Sequence, residues 1–176
     1  MPVTINLKKI LRYLSGICIA AIVGCANTRN IKTDQVTDST TVKNMIESQN
    51  FVFIPRYVNA IGVRSRNLSF GFQISVSKDS IISYLPFFGR GYIAPISPAD
   101  VDFDFTSTKF TNTTTPAKKG WNISIKAKDQ RYLQELYFRI FDNANASLTI
   151  TSNNRSSISY NGYITERKFY KVTKKQ

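Results

Sequence analysis

The side chains able to do chemistry in this chain are carboxylates, arginines with aromatic neighbours, and cysteine, because none of the 176 residues is histidine. That absence removes the usual general base near neutral pH, the Ser-His and Cys-His nucleophile pairs, and every imidazole metal site. A glycan-cleaving site needs only two carboxyl groups, one with a raised pKa, and Glu47, Glu135, Glu166, Asp100, Asp102 and Asp104 are available for it. None lies in a recognisable sugar-cleaving motif, and Glu135 alternates with Leu133 and Tyr137 as a residue on the wetter face of a strand would. The three aspartates are spaced by two, which puts them about 6.6 to 6.8 Å apart on one face of an extended segment. Calcium demands about six to eight oxygens arranged by a sharply turning loop. A strand edge facing Lys and Arg explains the aspartates more simply. The chain is therefore read as non-enzymatic, with no metal and no cofactor.

A second constellation is Tyr84-Leu85-Pro86-Phe87-Phe88-Gly89-Arg90-Gly91-Tyr92. Pro86 cannot donate a ladder hydrogen bond and ends a strand, and Gly89 and Gly91 allow a tight turn on either side of Arg90. Phe87, Phe88 and Tyr92 around a guanidinium could form the mouth of a pocket for an apolar ligand with an anionic head. The simpler reading is that the aromatics plug one end of the fold and Arg90 pairs with a carboxylate.

The third is Cys25. Lys8, Lys9 and Arg12 precede an apolar stretch from Tyr13 to Val23 that ends in Ile22-Val23-Gly24-Cys25. A basic start, about ten apolar residues and a small residue is the layout of a secretory signal, too short for the roughly 20 residues of a spanning helix. Cys25 after an apolar, apolar, Gly run resembles the bacterial lipobox, which implies cleavage after Gly24 and acylation of the Cys25 thiol and amine. Cys18 leaves with the signal, so the mature chain holds no disulfide and no free thiol. Its charge falls from 24 basic against 11 acidic residues to 21 against 11, or +10. Such a balance in a cytosolic chain would suggest nucleic acid. Export moves the expected partners to the membrane, held through the acyl chains on Cys25, and to anionic or amphipathic envelope ligands. No nucleic acid is expected, and a protein partner is left undefined.

The elements that must position these groups follow from periodicity. Residues 1–24 read as signal, 25–41 as a lipidated flexible tether, 42–166 as one β domain and 167–176 as a basic tail. Val42, Met45, Ile46 and Gln49 have helical spacing, which predicts one short helix over Val42 to Ser48 with Thr40 or Thr41 as its cap. Phe51, Phe53, Pro55 and Tyr57 then alternate. Leu68, Phe70, Phe72, Ile74 and Val76 do so cleanly, as do Trp121 to Ala127 and Ala146 to Ile150, and Val101, Phe103 and Phe105 oppose the aspartates. Further strands are expected at Ser80 to Leu85, Leu133 to Asp142 and Ser156 to Ile164, with hairpin turns at 77–80 and 142–145. Phe87 to Pro98 and the Thr-rich Thr111 to Gly120 read as interruptions. Seven or eight antiparallel strands should curl into a barrel or a two-layer sandwich, lipocalin-like in general shape.

The Tyr84 to Tyr92 stretch, the strand Trp121-Asn122-Ile123-Ser124-Ile125 and Asn154 to Gly162 together resemble a family of Bacteroidota envelope lipoproteins catalogued as a domain of unknown function, DUF4251. The resemblance covers Val42 to about Ile164; family members often have Ala at Gly91. It implies secretion, lipidation and a mostly-β domain, and it carries over no catalytic residue. In such organisms Asp38-Ser39-Thr40 resembles an O-glycosylation pattern, with Ser39 the candidate, against an unmodified polar turn. The chain is thus expected to be an outer-membrane lipoprotein, facing the periplasm because no acidic cluster follows Cys25, that binds a lipid-like or amphipathic ligand. Tyr84, Pro86, Phe87, Phe88, Gly89, Arg90, Tyr92 and Trp121 are the candidate residues. The alternative is a structural or accessory protein docking a partner through its surface.

Overall fold

A computed structural model describes residues 38–62, 64–92 and 102–167. The signal, Cys25, the proposed tether up to residue 37, Asp100 and the tail beyond Arg167 lie outside the described residues. The described chain begins with helix α1, Ser39–Glu47. It starts three residues before the expected point because Asp38, not a threonine, is the cap: its carboxylate accepts from Thr40 N–H at 3.2 Å and the Thr41 hydroxyl at 3.1 Å. An anionic oxygen at a helix start satisfies orphan N–H groups and the positive end of the dipole together. The same Thr40 and Thr41 bonds hold the Asp38 carboxyl below its ordinary value. Ser39 is therefore the exposed first residue of a helix rather than part of a spacer. Val42, Met45 and Ile46 form the buried stripe.

Ten strands follow among the described residues: β1 Phe51–Ala60, β2 Arg66–Asn67, β3 Gln73–Val76, β4 Ile81–Leu85, β5 Phe103–Ser107, β6 Phe110–Ala117, β7 Gly120–Ala127, β8 Leu133–Phe141, β9 Asn145–Ser152 and β10 Ile158–Thr165. Their order is β5-β4-β3-β1-β10-β9-β8-β7-β6, with β2 beside β1, and every pairing is antiparallel. The first long strand lies against the last, Phe53 opposite Ile164, and the two ends of the path, β5 and β6, are joined by only two residues, so the sheet wraps into a nearly closed barrel rather than a sandwich.

Three departures from simple alternation have local causes. β1 carries a bulge between Pro55 and Tyr57, which inverts its facing: Phe51, Phe53 and Pro55 are buried, then Val58 instead of Tyr57. The expected strand through Leu68 and Phe70 breaks at a turn where Gly71 has φ +107° and Phe70 stands fully exposed. β2 takes the edge of β1 at Tyr57–Val58 and β3 takes it at Phe51–Phe53, so the chain must leave the ladder between them. The Thr-rich run read as an interruption is strand β6, ending in the Lys118-Lys119 hairpin to β7. It is an edge strand, polar on both faces, where β-branched threonines are favoured and Pro116 is tolerated.

The barrel interior is filled. Phe138 makes edge contacts with Phe51 and Phe53, each at 5.8 Å between ring centres. Ile123, Ile125, Leu136, Ile140, Leu148, Ile150, Ile158 and Ile164 complete one continuous core with the helix stripe. Among the described residues no helix is long and apolar enough to cross a membrane.

Candidate functional site

The two ends of the sheet path, β5 and β6, are joined by only Thr108 and Lys109, yet no ladder joins the strands themselves. Side chains of the β7–β8 connection close this seam. The Asp129 carboxylate accepts from the Ser107 hydroxyl at 2.5 Å, Thr108 N–H at 2.8 Å and Lys109 N–H at 3.2 Å, and Gln130 Nε2 donates to the Thr106 carbonyl at 3.0 Å. The Ser107 hydroxyl, then the two N–H groups, stabilise the ionised carboxylate and hold the Asp129 pKa below its ordinary value.

Beyond this clasp the seam opens into a cleft of about 450 Å³, lined by Asp102 to Phe105, by Asp129 to Leu133, and by Ser152, Asn154 and Arg155. The β9–β10 turn, which lines the cleft through Asn154 and Arg155, is held by the docked stretch from Tyr84 to Tyr92. Ser156 N–H donates to the Arg90 carbonyl at 2.9 Å, Arg90 N–H to the Ser156 hydroxyl at 3.1 Å, and Tyr92 N–H to the Asn154 carbonyl at 2.7 Å. Phe87 N–H donates to Asp102 at 3.0 Å. Gly89 is needed because a Cβ there would lie 2.4 Å from the Phe87 ring and 2.5 Å from the Ser156 hydroxyl. The Tyr160 phenol, inside the core, donates to the Pro86 carbonyl at 2.7 Å. Burial, with the nearby Asp102 charge adding to it, pushes that phenol far above its ordinary pKa.

The arginine at the centre of this joint is Arg155, only 8% exposed. Its guanidinium lies 4.9 Å from the centres of both the Phe87 and Phe103 rings, and its Nε donates to the Asn154 side chain at 3.3 Å. The pocket mouth expected around Arg90 is not what forms. Arg90 and Tyr92 are exposed, Phe88 stacks under Arg66 at 5.3 Å, and Tyr84 stacks on Phe72 at 5.5 Å. Backbone bonds, not the Arg90 charge, hold the Gly89–Gly91 turn. Trp121 opposes Pro116 and Ile140 at the end of β7 remote from the β7–β8 connection, so it belongs to no common site with this stretch. The expected plug is present in part: Pro86 is buried and Phe87 packs edge-on to Phe103 at 5.6 Å.

Asp102 and Asp104 are exposed on β5 and its approach, as alternation required. Glu135 accepts a hydrogen bond from the Ser124 hydroxyl, and Glu47 pairs with Lys43 at 3.7 Å one helical turn away, so neither joins the cleft. Arg155, Asp129 and Tyr160 were missed as site residues. The signal for Arg155 was present, since it lies in the last of the three stretches with family resemblance, but nothing in one chain says that this stretch touches the first.

This architecture defines a class: a nearly closed antiparallel β-barrel whose seam is closed by side chains and whose β9–β10 turn is held by a docked loop. The chain belongs to the family described as Domain of unknown function (DUF4251), whose model matches residues 33–164. A solved structure described as a DUF4251 family protein from Bacteroides eggerthii DSM 20697 is similar, with TM-score 0.56 and 14% identity over 75% of this chain and 89% of that one. Identity this low speaks for the fold alone. No curated protein matches the chain.

Proposed function

We propose that this protein is a non-enzymatic lipoprotein, anchored to the periplasmic face of the outer membrane through Cys25, which binds an amphipathic ligand at the open cleft beside Arg155. One observation carries the choice of place: Phe51, Phe53, Phe138 and Tyr160 fill the barrel interior, whereas the cleft offers apolar walls and charged groups together. An amphipathic ligand needs both. Its polar group differs from the anionic head first expected, because Asp102, Asp104 and Asp129 line the cleft and the Arg155 charge is enclosed by two rings. The absence of histidine supports a binding role. So does the engagement of Asp129 with the Ser107 hydroxyl and two backbone N–H donors, which favours its ionised form rather than a raised acid.

Native mass spectrometry of the full chain released from mild detergent tests this reading. A co-purifying species should be lost in Leu133→Arg, within the cleft, and kept in Asn143→Arg, in the distant β8–β9 turn. A bound species indifferent to Leu133→Arg, or no species together with no binding of added dodecylamine, counts against it.

The docking alternative has its own support. Arg56, Lys126 and Arg139 project from the outer face of the sheet, with Arg56 over Tyr163 at 4.6 Å and Arg139 over Phe141 at 5.3 Å. A cross-linked protein partner lost in Arg139→Glu but kept in Leu133→Arg would favour it.

A further inference from the structure

The direction of the β5 backbone narrows the ligand class. The Thr106 carbonyl is reached by Gln130 from the side opposite β4. In an antiparallel strand both backbone groups of a residue point to one side, and residues two apart point the same way. The N–H and C=O of Asp104 therefore face the seam as well. From Thr106 to Lys109 that edge is capped by Gln130 and Asp129. At Asp104 no other segment among the described residues donates to it or accepts from it. Unpaired edge groups are a template for pairing with another chain, and here the side-chain cover stops where the cleft begins.

The side chains flanking this open edge alternate. Asp104 is exposed, as is Asp102, whose carboxylate accepts from Phe87 N–H, while Phe103 is buried and Phe105 half-buried on the inner side, in a cleft shared with Tyr132 and Leu133. A residue directly across from another on a neighbouring strand shares its face. A strand laid on β5 would thus meet carboxylates with one set of side chains and aromatic or aliphatic surface with the other.

We infer that the cleft takes an extended polypeptide segment of alternating basic and apolar residues, added as a further strand to β5 at Asp104. This rests on the cleft reading above and names its ligand. Main-chain hydrogen bonds hold such a segment and the alternate side chains select it. It is favoured over an anionic amphiphile because Asp102, Asp104 and Asp129 outnumber Arg131 and Arg155 in the lining, in an otherwise strongly basic chain.

Fluorescence anisotropy with a labelled acetyl-(Lys-Val)₃-amide on the full chain in detergent micelles provides the test. Saturable binding is expected, weakened at least tenfold by Asp104→Lys, and at least tenfold when alternate peptide bonds of the probe are N-methylated, which removes donors and leaves the side chains. The matching (Glu-Val)₃ peptide should not bind. Asp104 is exposed, so an unchanged thermal melt of the variant confirms its fold. Equal binding of the N-methylated probe, or an Asp104→Lys variant that binds as well, overturns strand addition. No peptide binding with dodecylamine still displaced by Leu133→Arg overturns this inference alone; loss of both overturns the cleft reading too.

Discussion

The hydroxyl of Tyr160 and the carbonyl of Pro86, 74 residues apart, are joined by a 2.7 Å hydrogen bond inside the core. It ties the last strand of the barrel to the start of the loop that docks on the β9–β10 turn. Tyr160→Phe keeps the ring and removes the donor, leaving a buried carbonyl unsatisfied. The expected cost is about 1–2 kcal/mol, read as a lower urea midpoint at constant slope; an unchanged midpoint would show that the bond contributes nothing net.

Gly89→Ala places a methyl group into the Phe87 ring and the Ser156 hydroxyl. Overpacking of this kind costs about 1–3 kcal/mol. Because the strain falls on the joint between the loop after β4 and the β9–β10 turn, limited proteolysis should cut near residues 87–92 sooner than in the wild type.

Phe70→Ser distinguishes the observed turn from the strand that alternation predicted. A core-facing phenylalanine would cost about 3–5 kcal/mol on truncation. Phe70 is fully exposed, so the substitution should stay within about 0.5 kcal/mol of neutral, as measured by thermal melting.

Asp129 makes closure of the seam sensitive to acid. Its folded pKa lies below the reference value of 3.8, so its contribution is fully present above the unfolded pKa and is lost as pH falls through the lower folded value. The difference in urea midpoint between wild type and Asp129→Asn should therefore be largest at pH 5 and above and shrink on acidification below about pH 4. A difference that stays constant down to the acid limit would contradict the role given to the carboxylate.

Cys25→Ser should abolish labelling by a radiolabelled fatty acid and release the chain from membranes. Labelling that persists in the variant would defeat the lipobox reading.

Much of the barrel was legible because period two, once a strand is wetted on one side, records its facing directly: Trp121 to Ala127 and Ala146 to Ile150 fall as their alternation requires. Edges were less legible. β6 shows no apolar face because neither of its sides is fully covered, and in a single chain an edge strand has the composition of a loop. A bulge such as that between Pro55 and Tyr57 inverts facing without a residue type that announces it.

By itself the sequence determined the absence of imidazole chemistry, the antiparallel β class and the turns at 77–80 and 142–145, since each depends on residue types or on neighbours a few positions away. Only the tertiary structure decided that Arg155, not Arg90, is the guanidinium between two rings, that Asp129 closes the seam, and that Tyr160 reaches Pro86. These are facts about residues from 20 to 74 positions apart. Which of them meet is set by the wrapping of the sheet that brings β1 against β10, and no local spacing encodes that register.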